Sequence, residues 1–121
     1  MGRPMLLAAA FAVCVTATAA ATAARPSIVV RPSTVARGKT VVVRGSAEGC
    51  PRGDAVTLIS RAFAHVHDFA GLPAVYARVR AGGLFRTTTR IPATRRPGRY
   101  VITGRCGGGN LGVSATLRVR A

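Results

Sequence analysis

The residues best suited to chemistry in this chain are His65, His67 and Asp68, in the run His65-Val-His67-Asp68. On an extended segment His65 and His67 point the same way, so two imidazoles and a carboxylate could hold copper or zinc. A structural zinc site wants four ligands, and no second cluster of metal-capable side chains supplies the rest. No metal and no cofactor are therefore expected, and the ordinary reading of the run is an exposed loop. Phe63, Phe69 and Leu72 lie in the same connection, which runs for about a dozen residues and is longer than a usual hairpin. Loops of that kind often carry function, which makes Phe63, His65, His67, Asp68 and Phe69 a candidate ligand loop. The plainer alternative is that the rings fold back to cap a core.

Catalysis has little to work with. Beyond residue 24 the carboxylates are Glu48, Asp54 and Asp68, and no Gly-x-Ser-x-Gly or paired-acid arrangement is present. Ser60, His65 and Asp68 can be written as a triad, but local order alone does not orient three groups across a fold. The glycine-rich run Cys106 to Gly112 lacks the Lys-Ser or Lys-Thr of a phosphate loop and precedes no helix, so it reads as a turn. The expectation is a protein that is not an enzyme.

The elements that position these residues follow a leader. Arg3 precedes an apolar run from Met5 to Ala20, and Ala19 to Ala24 offers small-x-small sites. Residues 1–24 are thus expected to be a signal peptide and residues 25–121 the mature domain. No basic stop-transfer flank is present, so stable membrane insertion after processing is not expected. Cys14 sits in the apolar run behind the branched Val13, which argues against a lipoprotein. The place of work is then secreted or extracellular, with association to the cell envelope. In an exported chain the remaining Cys50 and Cys106 read as one disulfide, worth about 4 kcal/mol by restricting the unfolded chain.

Charge is the dominant compositional feature. Against 18 Lys plus Arg the chain has 3 Asp plus Glu, for a formal +15 that falls to +14 when Arg3 leaves with the leader. Lys39 is the lone lysine, and the Arg, Ala, Gly and Pro content matches the codon bias of a GC-rich genome. Anionic cell-envelope polymers or another extracellular protein are the expected partners. Nucleic acid is excluded at this level, because the charge is not interleaved with aromatics along the chain and Trp is absent.

Seven short runs alternate apolar and polar residues between Gly and Pro signals, at the spacing of an all-β sandwich. They are Ser27 to Arg31, Thr40 to Gly45, Asp54 to Ser60, Ala74 to Arg80, Leu84 to Ile91, Arg99 to Cys106 and Gly112 to Arg120. In the last, Val113, Ala115, Leu117 and Val119 share one face. Tyr100, Ile102, Gly104 and Cys106 share the inward parity of the run before it, which places Cys106 inside, facing Cys50. Arg78, Arg80, Arg86, Arg90, Arg99 and Arg105 fall outward, where arginine commonly solvates a strand and protects its edge.

Pro97-Gly98-Arg99-Tyr100, continuing through Val101 to Cys106, resembles the corner and penultimate strand of an immunoglobulin-like domain. With Val35 to Val43, Gly83 to Phe85 and Ile91-Pro92, the chain from Arg25 to Ala121 is similar to small secreted Ig-like proteins of high-GC Gram-positive bacteria. The resemblance implies an Ig-like β-sandwich of about seven antiparallel strands with one disulfide, and a structural corner at Tyr100. Two departures mean that an antibody-type domain is not implied: no Trp packs the disulfide, and Cys50 follows the second run. The function implied is a non-catalytic binding or interaction module of the cell surface. One alternative is a neocarzinostatin-like carrier of an apolar small molecule, with a pocket beside Phe63, Phe69 and Tyr76, although the second disulfide of that family is missing. Another is an extracellular metal-binding protein using His65, His67 and Asp68.

Overall fold

A computed structural model describes residues 25–121 together with Gly2, Pro4 and residues 9–13. Most of the expected leader, Cys14 included, lies outside the described residues. The described chain is all-β, with nine strands where alternation predicts seven. They are β1 (Ser27–Arg31), β2 (Thr34–Ala36), β3 (Thr40–Ser46), β4 (Ala55–Ile59), β5 (His67–Phe69), β6 (Leu72–Arg78), β7 (Leu84–Arg90), β8 (Gly98–Cys106) and β9 (Gly109–Arg120).

They form a three-stranded sheet in the order β1-β3-β7 and a six-stranded sheet in the order β2-β9-β8-β4-β6-β5. The pairing is antiparallel except that β2 runs parallel to β9, which corrects the expectation of antiparallel strands throughout. Both additional strands, β2 and β5, have three residues, too few to show a period. β5 arises because Ala70 (φ 50°) and Gly71 (φ 84°) both adopt positive φ, which reverses the chain in two residues and pairs Phe69 with Leu72. The predicted dozen-residue loop is therefore shorter, and its second half is a hairpin.

The two sheets enclose one core. Val30, Val41, Val43 and Phe85 from the smaller sheet meet Val56, Leu58, Val75, Ile102, Leu117 and Val119 from the larger. Inward positions alternate along β1, β3 and the second half of β9, as the period of two requires. Phe63 is completely buried in this core, so the capping reading holds for that ring and it is no part of a ligand loop. Its burial stabilises the fold by about 1.5–3 kcal/mol. Gly45 is the tightest point: a Cβ there would collide with the Ser27 carbonyl and come 2.9 Å from the Phe85 ring. The Cys50–Cys106 bridge forms as expected, with Cα atoms 5.9 Å apart across a sequence separation of 56. Cys50 is buried and Cys106 half-buried, so the bridge ties the segment leaving β3 to the end of β8.

Candidate functional site

The outer face of the six-stranded sheet collects the chemistry that sequence spacing scatters. Register places Tyr76 opposite Thr57, and Thr57 opposite Arg105. His67 lies opposite Ala74 and Phe69 opposite Leu72 on the edge hairpin. The His67 and Tyr76 rings stack with centroids 4.1 Å apart and planes inclined by 17°. Arg105 reaches along the face to put its guanidinium carbon 5.2 Å from the Phe69 centroid, a cation–π contact. The same guanidinium donates through Nη2 to the Gly108 carbonyl at 3.0 Å, which anchors its direction. Tyr76 remains 48% exposed, Phe69 37% and Val101 56%, so the rings are stacked but not covered.

Arginine surrounds this patch. Arg99 and Arg118 sit directly opposite each other across β8 and β9, and Arg78 is exposed on β6. On the other sheet Arg44 and Arg86 form a second like-charged cross-strand pair. Beside it a groove of about 560 Å³ is lined by Val29, Leu84, Arg44, Arg80 and Arg86. Like charges directly opposite destabilise a sheet, and among the described residues no arginine has a carboxylate within ion-pair distance. The outward parity predicted for Arg78, Arg80, Arg86, Arg90, Arg99 and Arg105 is observed, with Arg105 the least exposed because it lies over Phe69.

The histidines do not act together. His65 Nε2 meets Asp68 Oδ1 at 2.8 Å, whereas His67 is committed to Tyr76. They do not share one extended strand, since β5 begins only at His67, and among the described residues no three metal-capable side chains converge. The Gly71 N–H donates to Asp68 Oδ2 at 3.1 Å and closes the hairpin turn. That bond, and secondarily the His65 contact, hold the Asp68 carboxyl below its ordinary value. Asp68 has the opposite parity to His67 and Phe69, which turns its carboxylate away from the aromatic face. Ser60 is buried and its Oγ accepts from the Ala62 N–H at 3.2 Å, so it serves a turn and forms no triad with His65 and Asp68.

Tyr100 packs against the core while its hydroxyl donates to the Arg96 carbonyl at 2.6 Å. Phe63, Phe69 and Tyr76 line no common pocket, because the first is enclosed in the core and the other two lie on the sheet exterior. The one residue of the stacked patch that sequence reasoning missed as a surface group is Tyr76. Its signal was available: it has the wet parity of its run, shared with Arg78.

No family model matches the chain, and no curated protein does. Among solved structures, one similar chain is the Pseudomonas fluorescens alkylpurine DNA glycosylase AlkC bound to DNA containing an abasic site analog. The likeness has a TM-score of 0.51 at 22% identity, over 81% of this chain and 31% of that one. The chain thus spans less than a third of that structure, and the likeness is one of fold.

Three expectations are corrected by it. A fold found within a DNA-bound glycosylase is not confined to non-catalytic modules of the cell surface, so that function and its carrier and metal-binding alternatives are set aside. The exclusion of enzymes falls with it. So does the exclusion of nucleic acid, which rested on the absence of Trp, on export and on basic residues not being interleaved with aromatics along the chain. Sheet pairing, which linear order does not reveal, brings Phe69 against Arg105 and sets Tyr76 beside them.

Proposed function

We propose that this domain binds nucleic acid, gripping the phosphate backbone with the arginines of its sheet exteriors. The observation that carries the reading is the outer face of the six-stranded sheet, where Arg78, Arg99, Arg105 and Arg118 lie around aromatic rings and, among the described residues, none has a carboxylate within ion-pair distance. Guanidinium groups match phosphate oxygens in a planar fork and lose less hydration than ammonium groups. The DNA-bound neighbour supports the same partner. Under this proposal the fold is an immunoglobulin-like sandwich spanning residues 25–121. Supporting that assignment, Tyr100 bonds the backbone four residues upstream, as a tyrosine corner does. With a leader over residues 1–24, the nucleic acid it meets is outside the cell.

The test is fluorescence anisotropy with labelled oligonucleotides and the full chain. Binding should weaken linearly on a log–log scale between about 50 and 200 mM salt, by about 0.7 per phosphate neutralised on a single strand and about 0.9 on a duplex. Arg99→Ala with Arg118→Ala should reduce the slope, and Arg25→Ala with Arg52→Ala should reduce it less. No binding at low salt would reject the proposal. Equal affinity for a poly(glycerol phosphate) of the same charge would reject it too, replacing nucleic acid with a wall polymer.

A further inference from the structure

We infer that the outer face of the six-stranded sheet takes unpaired nucleotides, stacking their bases on Tyr76 and Phe69 while Arg105, Arg99 and Arg118 hold the phosphates. The inference rests on the nucleic-acid reading and adds the strand state of the ligand.

Geometry separates single strands from duplexes. From β9 to β5 the face is five strands wide, and strands lie about 4.8 Å apart, so it is roughly 20 Å across. The major groove of a duplex is about 12 Å wide and admits a helix or a two-stranded ribbon. A face this broad does not fit into the major groove and would meet a duplex chiefly along its phosphates. Base faces, in turn, are hidden inside the duplex and free only in a single strand.

The side chains suit such a strand. The Tyr76 ring has His67 stacked against it and is 48% exposed, which leaves ring surface for a base. Arg105 lies over the Phe69 ring with its guanidinium carbon 5.2 Å from the centroid, which holds a cation beside the ring. Val101, 56% exposed on β8, continues the apolar surface toward the Arg99 and Arg118 pair. The ring positions are held in advance: the β5–β6 turn is closed by the Gly71 bond to Asp68, and Arg105 is tied to Gly108. Ordering two exposed aromatic residues beforehand lowers the entropy cost of binding.

The experiment compares three probes of equal length on the full, disulfide-bonded chain: a labelled oligothymidine, a duplex, and a strand of abasic deoxyribose phosphates. Oligothymidine should bind about a hundredfold tighter than the abasic strand, because two stacked bases contribute roughly tenfold each, and at least tenfold tighter than the duplex. Tyr76→Ala and Phe69→Ala should each lose about tenfold on oligothymidine and change duplex binding less than twofold. Tyr76→Phe keeps the ring and should restore the affinity, which separates stacking from disturbance of the fold. If the abasic strand or the duplex binds as tightly as oligothymidine, or Tyr76→Ala binds like wild type, the stacking face is rejected while backbone binding survives. Absence of binding to all three rejects the nucleic-acid reading itself and this inference with it.

Discussion

Removing the Cys50–Cys106 bridge should cost the domain about 4 kcal/mol, a figure set by where the bridge sits in the chain. A sequence separation of 56 corresponds to an unfolded-state entropy restriction near 14 cal/mol/K, or about 4.2 kcal/mol at 25 °C. The double variant Cys50→Ala with Cys106→Ala leaves no free thiol to confuse the result. Its packing loss falls mainly at Cys50, which is buried, since Cys106 is half-buried. Urea unfolding followed by far-ultraviolet circular dichroism is the assay. With a slope of about 1.5–2 kcal/mol/M, the midpoint should fall by about 2–3 M. A domain of this size has about 5–10 kcal/mol in total, so the variant should remain folded in water but lie close to its limit. A midpoint shift below about 0.5 M at unchanged slope would refute the loop-entropy reasoning and show that β4–β8 pairing alone holds this corner.

Tyr100→Phe should cost about 0.5–1 kcal/mol by the same urea assay, because the lost bond to the Arg96 carbonyl is exposed and water can replace it. Equal midpoints would mean the corner contributes nothing. Gly45→Ala should cost more than about 2 kcal/mol in a thermal melt, since the new Cβ meets the Ser27 backbone and not a flexible side chain. An unchanged melting temperature would show that β1 and β3 can separate without loss. Asp68, bonded first to the Gly71 N–H and then to His65, should titrate by NMR below the ordinary aspartate value of about 3.9. Because that value is depressed in the fold, the turn's support is complete above the unfolded value and fades as pH falls through the folded one. Protection of the Gly71 amide from hydrogen exchange should fade in that acid range, and in Asp68→Asn it should be low at every pH.

Strands with an apolar side facing the core were legible because burial writes a period of two into the chain, as Val41 and Val43 or Leu117 and Val119 do. Boundaries shifted where a strand outran that signal: β9 begins at Gly109, three residues before the predicted Gly112, because glycine and asparagine can pair without burying anything. β2 was illegible for a different reason. Its three residues pair in parallel with the distant end of β9, and nothing local specifies that partner. β5 was hidden because all three of its residues are exposed and its turn uses Ala70-Gly71 where Asn-Gly or Asp-Gly would signal a hairpin.

The site was partly legible for the same physical reason. Parity correctly sent the arginines outward, but parity says which face a side chain takes and nothing about its neighbours on that face. Those neighbours depend on strand order, and β6 lies between β4 and β5, which puts Tyr76 and the β5 rings on the sheet flank reached by Arg105. Strand order also exposes the cost of the basic surface. Like charges on directly opposite residues destabilise a sheet, because their Cβ atoms lie only about 4.5–5.5 Å apart. Arg44 with Arg86, and Arg99 with Arg118, impose that twice, and among the described residues no carboxylate lies within ion-pair distance of either pair. A phosphate bound between either pair would add two attractions that offset the one repulsion. The surface that is electrostatically strained in the free domain is therefore the one with most to gain from a polyanion.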